Sequence, residues 1–273
     1  MSNTVNTLLP VIGDLFVQQL AEKEDAYLRS HSNNRGVIRA HLRTVFRYLP
    51  YVIGPKVLDW GCYHGMDSCV LRHVFGQKLD LSGCDIFDAP ASVFHRFSGL
   101  KYQKLEDRYR SPYRDCEFDT VVGSGVLEHV VNPAESLREL HRILKNDGVL
   151  IITFAPNAWS LTEFILQLVG GVGHPRKYTR RRLKHLLLDH GFLIEAIGYH
   201  EVGPTLTSPS VAWARSIPGV IRLMEALEHL NPILDRLWPL NIFGQNHFII
   251  GRRVDFLHGS HAKRVRNGLW QSS

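Results

Sequence analysis

The sequence predicts an α/β fold: a doubly wound, mostly parallel sheet with helices on both faces. Two observations lead there. Short apolar runs alternate with amphipathic helical stretches between residues 56 and 154. The first run also ends in an acid, Asp59, followed at once by a turn bearing Gly61 and Gly65, and the second ends in Asp85.

Residues 1–50 read as helical. Ile12, Leu15, Phe16 and Leu20, and then Leu42, Val45, Phe46 and Leu49, recur at spacings of three and four, and a polar stretch at 30–36 separates the two groups. Residues 56–58 read as a short buried strand and 66–75 as a helix, so Gly61 and Gly65 sit where a strand turns into a helix N-terminus. Glycine there lets the backbone adopt unusual dihedrals and come close to a ligand. An ordinary strand-to-helix turn is the alternative reading of this loop taken alone.

A second strand over 79–84 ends at Asp85, 26 positions after Asp59. Nucleotide-binding folds place a carboxylate on a ribose diol at about this interval, because two ionised oxygens can accept from two vicinal hydroxyls. Glu117, Phe118 and Asp119 lead into a strand over 120–122. Gly123-Ser124-Gly125-Val126-Leu127-Glu128-His129-Val130 follows, read as opening an amphipathic helix that runs to about Leu144. A turn at 145–148 precedes an apolar strand over 149–154. A helix over 179–189 stops at His190-Gly191. Residues 161–169 and 217–243 are more apolar than simple connections require, the latter with Ile221, Met224, Leu227 and Leu230 at helical spacing. With Trp159, Trp213 and Trp238 they suggest a hydrophobic ligand or a lid touching a membrane surface; the alternative is that these helices merely pack on each other.

At 273 residues, 44% hydrophobic and 21% charged, the chain can bury a substantial core. Its net charge of +6 is modest. Lys263, Arg264 and Arg266 could meet an anionic surface, yet no basic-aromatic interleaving points to nucleic acid. Cys62, Cys69, Cys84 and Cys116 lack paired short spacing, so reduced thiols are expected rather than a zinc site. No secretory signal and no membrane-spanning apolar run is read, and a cytoplasmic location, with peripheral membrane contact through the lid, is the expectation.

Four ordered fragments carry a resemblance: VLDWGC at 57–62, SPYRDCEFD at 111–119, VLEHV at 126–130 and LRELHRILKNDGVLIITFAPN at 137–157, with HPRKYTRRRLKHLLLDHGF at 174–192 matching more loosely. The chain resembles the class I S-adenosylmethionine-dependent methyltransferases, in the branch that includes the quinone-biosynthesis methylases. The resemblance implies a Rossmann-like, seven-stranded sheet, with strands six and seven paired antiparallel over 192–199 and 247–252. It also implies an N-terminal helical cap at 1–50, a methyltransferase domain at 51–252 with a helical lid at about 203–243, and a basic tail at 253–273.

S-adenosylmethionine is the implied cofactor. Asp59, Gly61, Cys62, Tyr63 and Gly65 would hold its methionine end, and Asp85, with Ile86 beside it, the ribose. Asp107 would take the adenine amino group and the Arg108 backbone the ring, while Gly123, Ser124 and Gly125 would pass beneath the methionine and the sulfonium. Asp59, Asp85 and Asp107 are thus expected to converge on one cleft. Tyr63 departs from the family, which usually has glycine there. It is either tolerated with its side chain turned away, or it lines the acceptor pocket or weakens cofactor binding.

Methyl transfer from a sulfonium is an in-line displacement, so alignment and exclusion of water matter most. A hydroxyl acceptor needs a base, and histidine is suited to that work. His129 is the first candidate, with His174 and His200 the others. No metal ligands are assigned. The acceptor is read as a small or lipid-like molecule methylated on oxygen, less readily on carbon or nitrogen. A noncatalytic binding protein on the same fold stays open, as does a nicotinamide-dependent oxidoreductase, although the loop lacks that class's third glycine. The sequence assigns no oligomeric state.

Overall fold

The computed structural model describes residues 2–23, 28–29, 35–88, 92–168, 173–202 and 218–255. Seven strands form one sheet in the order β3-β2-β1-β4-β5-β7-β6. They are β1 (Lys56–Trp60), β2 (Asp80–Asp85), β3 (Lys101–Lys104), β4 (Phe118–Ser124), β5 (Leu144–Pro156), β6 (Phe192–His200) and β7 (Asn246–Arg253). The first five run parallel; β7 is antiparallel to both β5 and β6. Strand β1 lies between β2 and β4, so the order reverses there, and a crevice opens at the carboxyl ends of β1 and β4.

Helices α1 (Ser2–Glu22), α2 (Arg35–Tyr48), α3 (Met66–Phe75), α4 (Val93–Ser98), α5 (Pro133–Ile143), α6 (Leu161–Leu168), α7 (Arg180–Leu188) and α8 (Val220–Leu234) complete the described architecture. Strand β1 is buried on both faces, and its period of two divides it between two cores. Val57 joins Val122, Ile151 and Ile250 in a core that also contains Leu8, Ile12 and Phe16 of α1 and Leu42 and Val45 of α2. Leu58 joins Val121, Leu150 and Ile249 in the other, against Leu137 and Leu140 of α5 and Leu183 and Leu187 of α7. The N-terminal helices therefore share a core with the nucleotide-loop helix. Phe16 meets Phe94 edge-on at 5.1 Å between ring centroids. Burying each such ring contributes about 2–3 kcal/mol.

The helix expected from Val126 begins only at Pro133. Asn132 caps it, its side chain accepting from the Ala134 N–H, and proline at the first position disfavours helical backbone in the residue before it. Residues 126–130 are consequently a turn, from which Val126, His129 and Val130 line the crevice while Leu127 packs into the second core. The turn expected at 145–148 falls within β5, where Asp147 has φ 60°. The antiparallel edge pair spans nearly the expected residues. Of the segment expected as a lid, α8 is described, whereas 203–217, with Trp213, and the tail 256–273 lie outside the described residues. Among the described residues no helix is long and apolar enough to cross a membrane.

Candidate active site

A cavity of about 520 Å³ opens over the carboxyl ends of β1, β2 and β4, with Phe16 of α1 and His41 of α2 on its far wall. Its size is in the ordinary range for small-molecule sites. The nucleotide loop reaches it through Asp59, Gly61, Cys62, Tyr63 and Gly65. Gly61 has φ 67°, and a Cβ there would stand 2.4 Å from the Val126 side chain, so only glycine fits.

Asp85 forms one end of the cavity. Its Oδ2 accepts the Tyr63 N–H at 2.9 Å and its Oδ1 the Phe87 N–H at 3.2 Å. Each oxygen keeps a lone pair for a further donor, as a vicinal diol requires. Burial raises the Asp85 carboxyl, with the backbone N–H groups opposing. Ile86 and Phe87, 41% and 57% exposed, line the same end with Leu105, Arg108 and Tyr109.

At the opposite end three polar side chains, His41, Tyr48 and Ser124, close on Asp67, in the first turn of α3. His41 Nε2 is hydrogen-bonded to its Oδ1, and Tyr48 Oη donates to its Oδ2 at 2.8 Å. Burial pushes the Asp67 carboxyl up, but the His41 charge and the hydrogen bonds from His41, Tyr48 and Ser124 outweigh this and hold it below its ordinary value. Asp59 accepts from Ser68 Oγ at 2.7 Å. Burial first, then the Asp67 charge, push Asp59 up to about 8. An ammonium group would replace the proton that Asp59 keeps at neutral pH. Carboxylates at one end for an amino acid, a diol-ready carboxylate at the other and an apolar ledge beyond it fit S-adenosylmethionine.

Ser124, Gly125 and His129 also line the cavity. Burial, then the His174 charge, lowers the His129 pKa. Behind it Glu128 is buried, its Oε1 3.7 Å from His129 Nε2, and burial raises it to about 7. His174 is off the cavity. Its Nδ1 is hydrogen-bonded to Glu163 Oε1 at 2.7 Å, which raises its pKa, and its ring lies 6.3 Å from that of His129. His200 is also off the cavity. It is buried behind Phe154, edge-on to that ring at 5.0 Å, with Nδ1 3.3 Å from Thr44 Oγ1, and burial holds it well below its ordinary pKa.

Two of the three expected carboxylates line the cavity. Asp107 does not: its Oδ1 accepts the N–H groups of Tyr109 and Arg110 and so shapes the loop that carries Arg108 to the wall. Gly123 is off the wall too. A Cβ there would meet the Trp60 ring at 2.7 Å, so its role is to admit that ring. Sequence reasoning missed His41, Asp67 and Phe87. The helical spacing around Leu42 and Val45 marked α2 as packing, and nothing local indicated that His41 would turn towards the cavity. Among the described residues no group of three or more His, Cys, Asp or Glu side chains could hold a metal ion.

Comparison with known proteins points to the same cofactor. A family profile described as a methyltransferase domain matches residues 20–197. The ubiquinone biosynthesis O-methyltransferase of Pseudomonas aeruginosa is 30% identical over 141 residues, 46% of this chain and 59% of that protein. The 2-phytyl-1,4-beta-naphthoquinone methyltransferase of Arabidopsis thaliana is 30% identical over 121 residues, 41% and 46% of the two chains. The matched stretch thus spans only about half the length of these relatives. In fold it is similar to an S-adenosylmethionine-dependent methyltransferase of Thermotoga maritima, with TM-score 0.57 and 19% identity over 88% of this chain and 99% of that one. The chain belongs to the class I S-adenosylmethionine-dependent methyltransferases.

Proposed function

We propose that the chain transfers the methyl group of S-adenosylmethionine to an oxygen of a small, hydrophobic acceptor of the quinone-precursor kind. The observation that carries this reading is the position of His129. Of the three nominated histidines it alone lines the cavity, on the wall with Ser124 and Gly125 and beside Val126, Val130 and Val131. The apolar side chains suit a hydrophobic acceptor, and the names of the relatives point to quinone chemistry.

In this reading Asp59 and Asp67 face the amino-acid end of the cofactor, His41 the same end, and Asp85 the ribose hydroxyls. The cofactor supplies a methyl group on a sulfonium, which needs no protein nucleophile. The acceptor hydroxyl must lose a proton, and His129 Nε2 or Nδ1 takes it. The lowered pKa of His129 keeps the imidazole neutral, hence able to accept, at neutral pH. The cap residues Phe16 and His41 help close the cavity against water.

The outer faces of α6 and of the segment after α8 are apolar, with Leu168 70% and Trp238 81% exposed. This supports peripheral contact with a lipid surface from which such an acceptor could be drawn. Release of S-adenosylhomocysteine across phenolic, quinol, glycosyl and lipid panels tests the proposal. Turnover confined to phenols or quinols agrees with it. Turnover confined to amines or carbon acids overturns it, and cofactor binding without turnover on any panel favours a binding protein. Failure to co-sediment with liposomes removes the membrane contact.

A further inference from the structure

We infer that Tyr63 and Phe87 form an aromatic clamp on the adenosine half of the cofactor, a device added where the family usually has glycine. The inference rests on the placement of the ribose diol at Asp85.

Tyr63 has φ 43°, in the left-handed region that disfavours a side chain. Glycine would adopt it without strain, so a tyrosine there asks for a reason. Its backbone is pinned on both sides: the N–H donates to Asp85 Oδ2 at 2.9 Å, and the carbonyl accepts from His95 Nε2 at 2.9 Å. Phe87 is pinned likewise, its N–H on Asp85 Oδ1 and its carbonyl accepting from Tyr102 Oη. The two residues whose N–H groups hold the Asp85 carboxylate therefore also carry the two rings beside it. Those rings meet edge-to-face, 5.6 Å apart at 74°. The His64 ring supports Tyr63 from below at 4.0 Å.

Tyr63 and Phe87 both line the cavity, and Phe87 and Ile86 leave apolar surface exposed. A purine joined to a ribose held at Asp85 would cover that surface. The rings would in turn shield the hydrogen bonds between diol and carboxylate from water, which strengthens them. The clamp thus tightens nucleoside binding and slows release of the spent cofactor.

The test is calorimetry and stopped-flow dissociation of S-adenosylhomocysteine and of adenosine with the full chain and its Tyr63→Gly, Tyr63→Phe, Phe87→Ala and Asp85→Asn variants. Tyr63→Gly and Phe87→Ala should each weaken both ligands about tenfold, mainly through faster dissociation, the order expected for one lost base-aromatic contact. Tyr63→Phe should bind as the unaltered chain does. The ligand-free melting temperature of Tyr63→Gly should be no lower, since the substitution removes backbone strain; a merely structural tyrosine would lose stability and affinity together, and that result overturns the clamp. So does Tyr63→Gly binding adenosine unchanged or more tightly while Asp85→Asn weakens it. If Asp85→Asn binds both ligands unchanged, the ribose placement fails and the clamp fails with it.

Discussion

His41 and Asp67 join the N-terminal helices to the nucleotide loop, with Nε2 of the histidine on α2 hydrogen-bonded to Oδ1 of an aspartate two residues past Gly65. Tyr48, two turns further along α2, takes the other oxygen. Helix α2 is thereby a wall of the cavity, which His41 lines. Held in place by Asp67, the His41 ring would donate a hydrogen bond to a cofactor carboxylate.

The consequence is a difference between two ligands. His41→Ala should weaken S-adenosylhomocysteine about tenfold, the order of one charge-assisted hydrogen bond, and leave 5′-methylthioadenosine, which lacks the amino-acid end, within about twofold. Calorimetry with both ligands measures this. Equal losses for the two would show that His41 only supports the fold.

Asp59 should make both binding and stability depend on pH. The folded chain keeps its proton up to about 8, whereas the ordinary value is 3.8. Stability from this group is therefore fully present below about pH 4 and is lost as pH rises towards 8. Asp59→Asn removes the loss, so its advantage in unfolding free energy should grow between pH 4 and pH 8 by roughly 1–3 kcal/mol. Cofactor binding should release a proton below pH 8, because the ammonium takes its place. Calorimetry in buffers of different ionisation enthalpy detects that proton, and a buffer-independent enthalpy at pH 7 would contradict the assignment.

Removing the charge at Asp85 should cost about 2–3 kcal/mol of cofactor affinity, since two charge-assisted hydrogen bonds become one neutral acceptor and a misplaced donor. Asp85→Asn is compared with the unaltered chain using S-adenosylhomocysteine and its 2′-deoxy analogue. The 2′-deoxy analogue should already be weak for the unaltered chain and lose little more on substitution.

His129→Ala should lower turnover of an accepted hydroxyl substrate by about 10²–10⁴ while cofactor affinity changes less than twofold. Glu128→Gln leaves the imidazole in place, so its effect should be smaller and appear mainly as a changed pH profile near 7, where the buried carboxyl titrates. An unchanged rate in His129→Ala would remove the base role.

Gly123→Ala tests packing apart from chemistry. The added methyl would press on Trp60 and Ile152, at 2.7 and 3.1 Å, between strands that cannot easily part. A loss of about 1–3 kcal/mol in unfolding free energy is expected. Denaturant titration measures it, and a neutral result would show that Trp60 can move aside.

Much of this site was legible in the chain because its parts are local. Asp59 follows a run of apolar residues long enough for a buried strand, Asp85 ends the next, and the glycines between them sit where a strand must turn into a helix. Ser124 ends the fourth strand and Gly125 follows it. The reading of Val126 to Val130 as helix failed at Asn132-Pro133, where a side-chain cap and a missing N–H set the start later than apolar periodicity suggested. Asp107, expected from the resemblance to take the adenine, does not line the cavity, and its Oδ1 accepts two N–H groups of its own loop.

The sequence by itself determined the order of strands and helices, the acids at two strand tips and the glycine turn between them, since these depend on periodicity and on backbone conformation within a few residues. The tertiary structure alone decided which side chains meet. It put His41 on Asp67, 26 residues away, ringed Asp85 with Tyr63 and Phe87, and set His200 behind Phe154 rather than on the cavity wall. Such pairings follow from how helices pack on a twisted sheet, and a spacing in the chain does not encode which face a buried polar group will find.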